Sequence, residues 1–229
     1  MAREESGAAF FTPELMKFLR DLGRNNNRPW FEANKTRYEA VVQDPAVRFI
    51  EAMGPRLARI SAHLVADPRP FGGSLMRIYR DTRFSKDKSP YKTQVGIHFP
   101  YDRAAKGEHF PGFFFHIRPG ESELYAGVWH PEPPHLKKIR DAIVDSPGPW
   151  GKLQGKGIEI GGESHIRVPA GYDPKHKYAE DLRHKDFFAG RSIPDAQLSH
   201  PKFGEQFIGL CEELDPLNRF LAKAIGIPW

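Results

Sequence analysis

Gly112-Phe113-Phe114-Phe115-His116-Ile117-Arg118-Pro119-Gly120-Glu121-Ser122-Glu123-Leu124-Tyr125-Ala126-Gly127-Val128-Trp129 decides the fold class. Two short runs rich in aromatic and aliphatic residues flank Pro119-Gly120, a dipeptide with the chemistry of a tight turn. Side chains alternate between the two faces of a strand. Phe113, Phe115 and Ile117 therefore share one face, and Phe114, His116 and Arg118 the other. The same period recurs upstream at 94–99 and, after Gly72-Gly73, at 74–80. With 112–118 and 123–129 these runs predict an antiparallel meander of about four or more strands, its first hairpin closed near Lys106-Gly107.

Helical patterns flank this sheet. Thr12-Pro13-Glu14 predicts a helix start with Thr12 as cap, and Leu15, Phe18, Leu19 and Leu22 follow at helical spacing up to Gly23. The run Asn25-Asn26-Asn27-Arg28-Pro29 predicts a second start, capped by Asn27. Asp44-Pro45 predicts a third, whose stripe of Val47, Ile50, Met53, Leu57, Ile60 and Leu64 is interrupted by Gly54-Pro55. A helix is expected near 135–144, then irregular chain over 146–175 with short strands near 158–160 and 165–168. A last helix is expected over 202–225, broken at Pro216. These elements give an α+β domain spanning 1–229, an antiparallel sheet packed with N-terminal and C-terminal helices.

The 229 residues carry a formal charge of +5, and residues 69–92 supply all of that excess. Within them, Arg77, Arg80, Arg83, Lys86, Lys88 and Lys92 stand among Thr82, Ser85 and Ser89, the donor set that binds phosphate or carboxylate. Asp81 and Asp87 are placed to orient these cations. Such a run also forms ordinary solvated, ion-paired loops. Alternation puts Arg77 and Tyr79, Gln94 and His98, and His116 and Arg118 on the face opposite the apolar one. That predicts a polar floor able to bind an anion, or to use His98 or His116 as acid or base on a phosphoester. Arg28, Trp30 and Lys35 join the candidate ligand-binding residues if the Asn-rich turn lies beside the basic run, where a helix start would add free N–H groups.

Several chemistries are not expected. His98, His116, His130 and His135, even with Glu132, lack the spacing of a metal site, so neither metal nor cofactor is expected. A single cysteine, Cys211, excludes an intrachain disulfide and lies on an apolar helix stripe, where an inert buried thiol is expected. No run approaches the length of a membrane span and none has the form of a signal peptide, so a soluble cytoplasmic protein without a membrane partner is expected. The partner would be an anionic small molecule or a nucleic acid. An acidic protein partner for the basic loop is the non-catalytic alternative.

Taken together, the 77–92 segment, Asn25-Asn26-Asn27-Arg28-Pro29-Trp30-Phe31, Asn34-Lys35 and Gly127-Val128-Trp129-His130-Pro131-Glu132 resemble the bacterial and fungal family known as domain of unknown function 2461. Val168-Pro169-Ala170-Gly171-Tyr172 and Lys185-Asp186-Phe187 resemble its later blocks, so the likeness covers nearly the whole chain. It implies one family domain and brings no established activity. Ala170 stands where the family pattern implies a basic residue, which counts against that block as a second phosphate contact.

Overall fold

The computed structural model describes residues 9–103 and 108–229; the expected Lys106-Gly107 turn lies outside them. Its centre is a four-stranded antiparallel sheet in the order β1 (Val95–Phe99), β2 (Gly112–Ile117), β3 (Ser122–Val128) and β4 (Phe187–Ile193). Ile97 pairs with Phe115, and Phe115 with Leu124, so the large apolar side chains of adjacent strands line up on one face. The hairpin between β2 and β3 turns at Pro119-Gly120, where Gly120 has φ 76° and Glu121 N–H donates to the Arg118 carbonyl at 3.0 Å. These three strands lie where alternation puts them.

The fourth strand does not. Residues 74–80 form only isolated bridges, Leu75 with Ile97 and Tyr79 with Tyr91. Leu75 and Ile78 are both buried. They stand three residues apart, and an odd spacing cannot place both on one face of a regular strand, so the backbone must leave the pleat between them. The sheet is completed by Phe187-Phe188-Ala189-Gly190-Arg191-Ser192-Ile193, which arrives after two intervening helices and runs antiparallel to β3. Gly127 permits this pairing. Its φ is 128°, and a β-carbon there would lie 2.1 Å from the Phe187 carbonyl oxygen.

Helices cover one face. α1 (Pro13–Arg24) is followed by α2 (Arg28–Ala33), whose first turn is capped as expected, with Trp30 N–H donating to Asn27 Oδ1 at 3.0 Å. Thr12 makes no side-chain cap bond. α3 (Lys35–Tyr38) passes through a π-helical turn (Glu39–Gln43) directly into α4 (Asp44–Leu57). Asp44-Pro45 is therefore no new start. Pro45 has no N–H to give to the preceding turn, and the wider turn before it absorbs that lost bond. Pro55 also stays inside α4.

After β3 come α5 (Pro133–Asp145) and α6 (Pro147–Gln154), the latter within the stretch expected to be irregular. The short strands expected there reduce to bridges of Gly161 with Phe188 and Ser164 with His184. α7 (Asp195–Leu198) is a single turn, and α8 (Phe203–Ile225) continues unbroken through Pro216. Phe49 of α4 lies 5.0–5.7 Å from the rings of Phe115, Phe203 and Phe207, which locks sheet, N-terminal helices and α8 into one core. The other face of the sheet is left to build a site.

Candidate functional site

Asn26 joins the two parts of the chain that carry the candidate cations. Its side-chain Nδ2 donates to the Tyr91 carbonyl at 2.9 Å, and its Oδ1 accepts from Tyr91 N–H at 3.0 Å. An amide that satisfies both backbone groups of one distant residue fixes the Asn-rich turn against the end of the basic segment. Phe31 stacks on Tyr91 at 4.1 Å, and Tyr79 lies 5.4 Å from Tyr91. The tyrosines feel one another. Burial, then Tyr79, pushes the Tyr38 hydroxyl up to about 12, and burial, then Tyr79 and Glu32, raises Tyr91 against the charge of Arg28.

The cations divide into two groups. Arg80 pairs with Asp87, and Arg83 with Asp81 at 2.7 Å, while Lys88 donates to the Thr82 carbonyl at 2.9 Å. The hydrogen bond from Arg83 holds the Asp81 carboxyl below its usual range, and those from Ser89 and Arg80 do the same for Asp87. Arg28, Arg77 and Lys92, like Lys35 and Lys86, are different: among the described residues none has a carboxylate within 4 Å. Burial lowers the Lys92 pKa, and the charge of Arg77 lowers it further. Two like charges are thus held near each other, and the Asp81 carboxylate feels the charge of Arg77 but is paired with Arg83.

Other expectations need correction. Arg77 and Arg83 are both exposed. Arg77 lies between two isolated bridges, and no ladder register ties it to the face of His98. Trp30 is partly buried against the core, 5.8 Å from Phe18, and acts as packing. Lys35 and Lys86 are exposed. The six residues of α2 make its start a capped turn and no anion site of its own.

His98 and His116 do share the outer face of the sheet, His98 opposite Phe114 and His116 opposite Gly96 and Glu123. Phe114 stands between them, 6.3 Å from His98 and 6.4 Å from His116. The floor is therefore aromatic where a polar one was expected. The face is also concave. A cavity of about 540 Å³ is lined by His98, Phe114, Tyr125, Phe188 and Trp129, with Met76, Tyr101, His109 and Phe110 among its walls. Sequence reasoning missed it because Phe188 comes from the unrecognised strand, and because Gly96 and Gly190 act only through their neighbours. A β-carbon on Gly96 would lie 3.1 Å from the Phe114 ring, and one on Gly190 2.9 Å from the Tyr125 ring. The glycines let both rings lie low on the sheet.

His98 is an exposed residue of β1, yet the cavity walls beside it crowd its ring. That crowding disfavours the charged form and, with the charge of His109, takes its pKa from 6.5 to about 4. Burial lowers His116 as well, with Arg118 acting in the same direction. Both rings are then neutral at pH 7. Neither holds the proton that a general acid on a phosphoester would donate.

Three further groups stand outside these places. Ser164 Oγ lies 3.0 Å from His184 Nδ1, but among the described residues no carboxylate is hydrogen-bonded to the ring, so this pair lacks the third member of a nucleophilic triad there. Cys211 is fully buried, and burial raises its thiol well above the usual value, an inert state. Among the described residues no cluster of three His, Cys, Asp or Glu is placed to hold a metal ion, and no helix is long and apolar enough to cross a membrane.

Comparison with known proteins follows the same outline. No curated protein and no solved structure matches the chain. One family model, described as conserved hypothetical protein (DUF2461), matches residues 14–220, which includes the Asn-rich turn, the basic segment and all four strands. The chain belongs to the DUF2461 family.

Proposed function

We propose that the protein binds an anionic, phosphate-bearing ligand through Arg28, Arg77 and Lys92. The observation that carries this reading is the proximity of Arg77 and Lys92, two cations without a carboxylate partner within 4 Å, beside a turn that Asn26 clamps in place. Like charges held together by a folded framework repel, and an anion placed between them removes that repulsion while gaining charge-assisted hydrogen bonds. Arg80, Arg83 and Lys88 already have partners, so they frame the site, and Arg28, Arg77 and Lys92 contact the ligand. The hydroxyls of Tyr79 and Tyr91 add neutral donors at its edge.

Calorimetric titration of the full chain with ATP, and separately with a single-stranded oligonucleotide, tests the reading. Arg77→Glu is expected to weaken ATP binding at least ~10-fold, equivalent to about 1.4 kcal/mol. Stability should change by no more than about 0.5 kcal/mol, because the side chain is exposed and unpaired. Equal affinity of wild type and Arg77→Glu for both probes overturns it. Salt separates the two anions. A single strand held by several phosphates loses affinity with a log-log slope of about −0.7 per contact, whereas ATP on three cations shows a shallower dependence. Binding of neither probe, with capture of an acidic peptide instead, would make the basic segment a protein-docking surface and overturn the phosphate reading.

A further inference from the structure

The cavity on the outer sheet face has a chemistry unlike that of the basic segment. Among the described residues its lining contains no Lys or Arg and a single carboxylate, Glu108, which favours a neutral guest over an anion. Its floor is aromatic, from Phe114, Tyr125 and Phe188, and Trp129 stands at its edge with 59% of its surface exposed. A concave volume of about 540 Å³ is within the range that encloses small organic ligands. Aromatic floors favour flat guests, which keep contact over a whole ring face.

One polar group in the wall defines what the guest must carry. The His98 ring makes no hydrogen bond among the described residues, its only bond being from the backbone N–H to the Ser74 carbonyl at 2.9 Å, and the ring is neutral at pH 7, so one ring nitrogen is a free acceptor at the exposed face of β1.

We infer that this cavity binds a neutral, planar aromatic heterocycle that carries an N–H donor for His98. The site is separate from Arg28, Arg77 and Lys92, and its test does not depend on phosphate binding. Three probes of similar size dissect it: benzimidazole has donor and acceptor, indole a donor only, and naphthalene neither. Titrated at pH 7.5 into isotopically labelled full chain and followed by amide resonances, benzimidazole should bind more tightly than about 1 mM. It should shift His98, Tyr125 and Gly127, indole should bind with similar affinity, and naphthalene more weakly.

His98→Leu keeps the apolar volume and removes the acceptor. It is expected to weaken benzimidazole and indole about tenfold and to leave naphthalene unchanged. The inference is overturned if benzimidazole gives no saturable shift at these residues, or if His98→Leu affects all three probes alike or none.

Discussion

Asn26 and Asn27 show how adjacent identical residues take different work from their surroundings. Asn27 caps α2 through one local bond to Trp30 N–H, an interaction written in the sequence because Asn before a helix-starting Arg-Pro pair has one well-known use. Asn26 reaches 65 positions along the chain to satisfy both backbone groups of Tyr91. Nothing in its neighbours announces that. Asn27→Ala is expected to lower stability by about 1 kcal/mol, and Asn27→Gly by only a few tenths. Asn26→Ala should cost about 2–3 kcal/mol, since two bonds go and the Tyr91 backbone loses its partner in a part-buried place. Urea denaturation of the three variants checks the ranking. An Asn26→Ala variant no less stable than Asn27→Ala would mean that the stack of Phe31 on Tyr91 alone holds the turn against the basic segment.

At the scale of elements, strand alternation was the most legible signal, and proline the most misleading. β1, β2 and β3 follow from period-two burial and a Pro-Gly turn, whereas β4 contains Gly190, Arg191 and Ser192 and gains its order from pairing with β3. A strand stabilised by its neighbour leaves little trace in its own composition. The 74–80 run has the reverse character, with strand-like residues but burial at Leu75 and Ile78 that no pleat allows. Pro45, Pro55 and Pro216 each read as a start or a break, and each lies inside a continuous helix. Burial of the flanking side chains outweighs one missing hydrogen bond, because Leu214, Leu217 and Leu221 are all fully buried around Pro216. Pro216→Ala restores the missing N–H in α8 and is expected to stabilise the protein by about 1–3 kcal/mol. A thermal melt that falls on this change would show that α8 needs a bend at Pro216 to reach the sheet.

For the whole molecule, the sheet divides two environments, an apolar core beneath the helices and an accessible outer face, and that division sets the response to pH. Sequence parity placed His98 and His116 together on the outer face, but the crowding of the His98 ring comes from cavity walls of distant segments, Met76, Tyr101 and His109 among them, which alternation cannot reveal. Folding lowers the pKa of His98 from 6.5 to about 4, and those of His116 and His184 in the same direction, in each case mainly by burial. Between these values the unfolded chain binds more protons than the folded one, so acid favours unfolding. Stability contributed by the neutral rings is fully present above about pH 6.5 and is lost progressively as pH falls toward 4. Because His98 keeps an edge in solvent, screening reduces its share below what the shift alone would give. Urea midpoints should thus fall between pH 7 and pH 5, and His98→Gln, which cannot take up the proton, should flatten that fall. An unchanged slope in His98→Gln would assign the pH dependence to His116 and His184 and would mean that water reaches the His98 ring freely, leaving it ordinary basicity at the cavity wall.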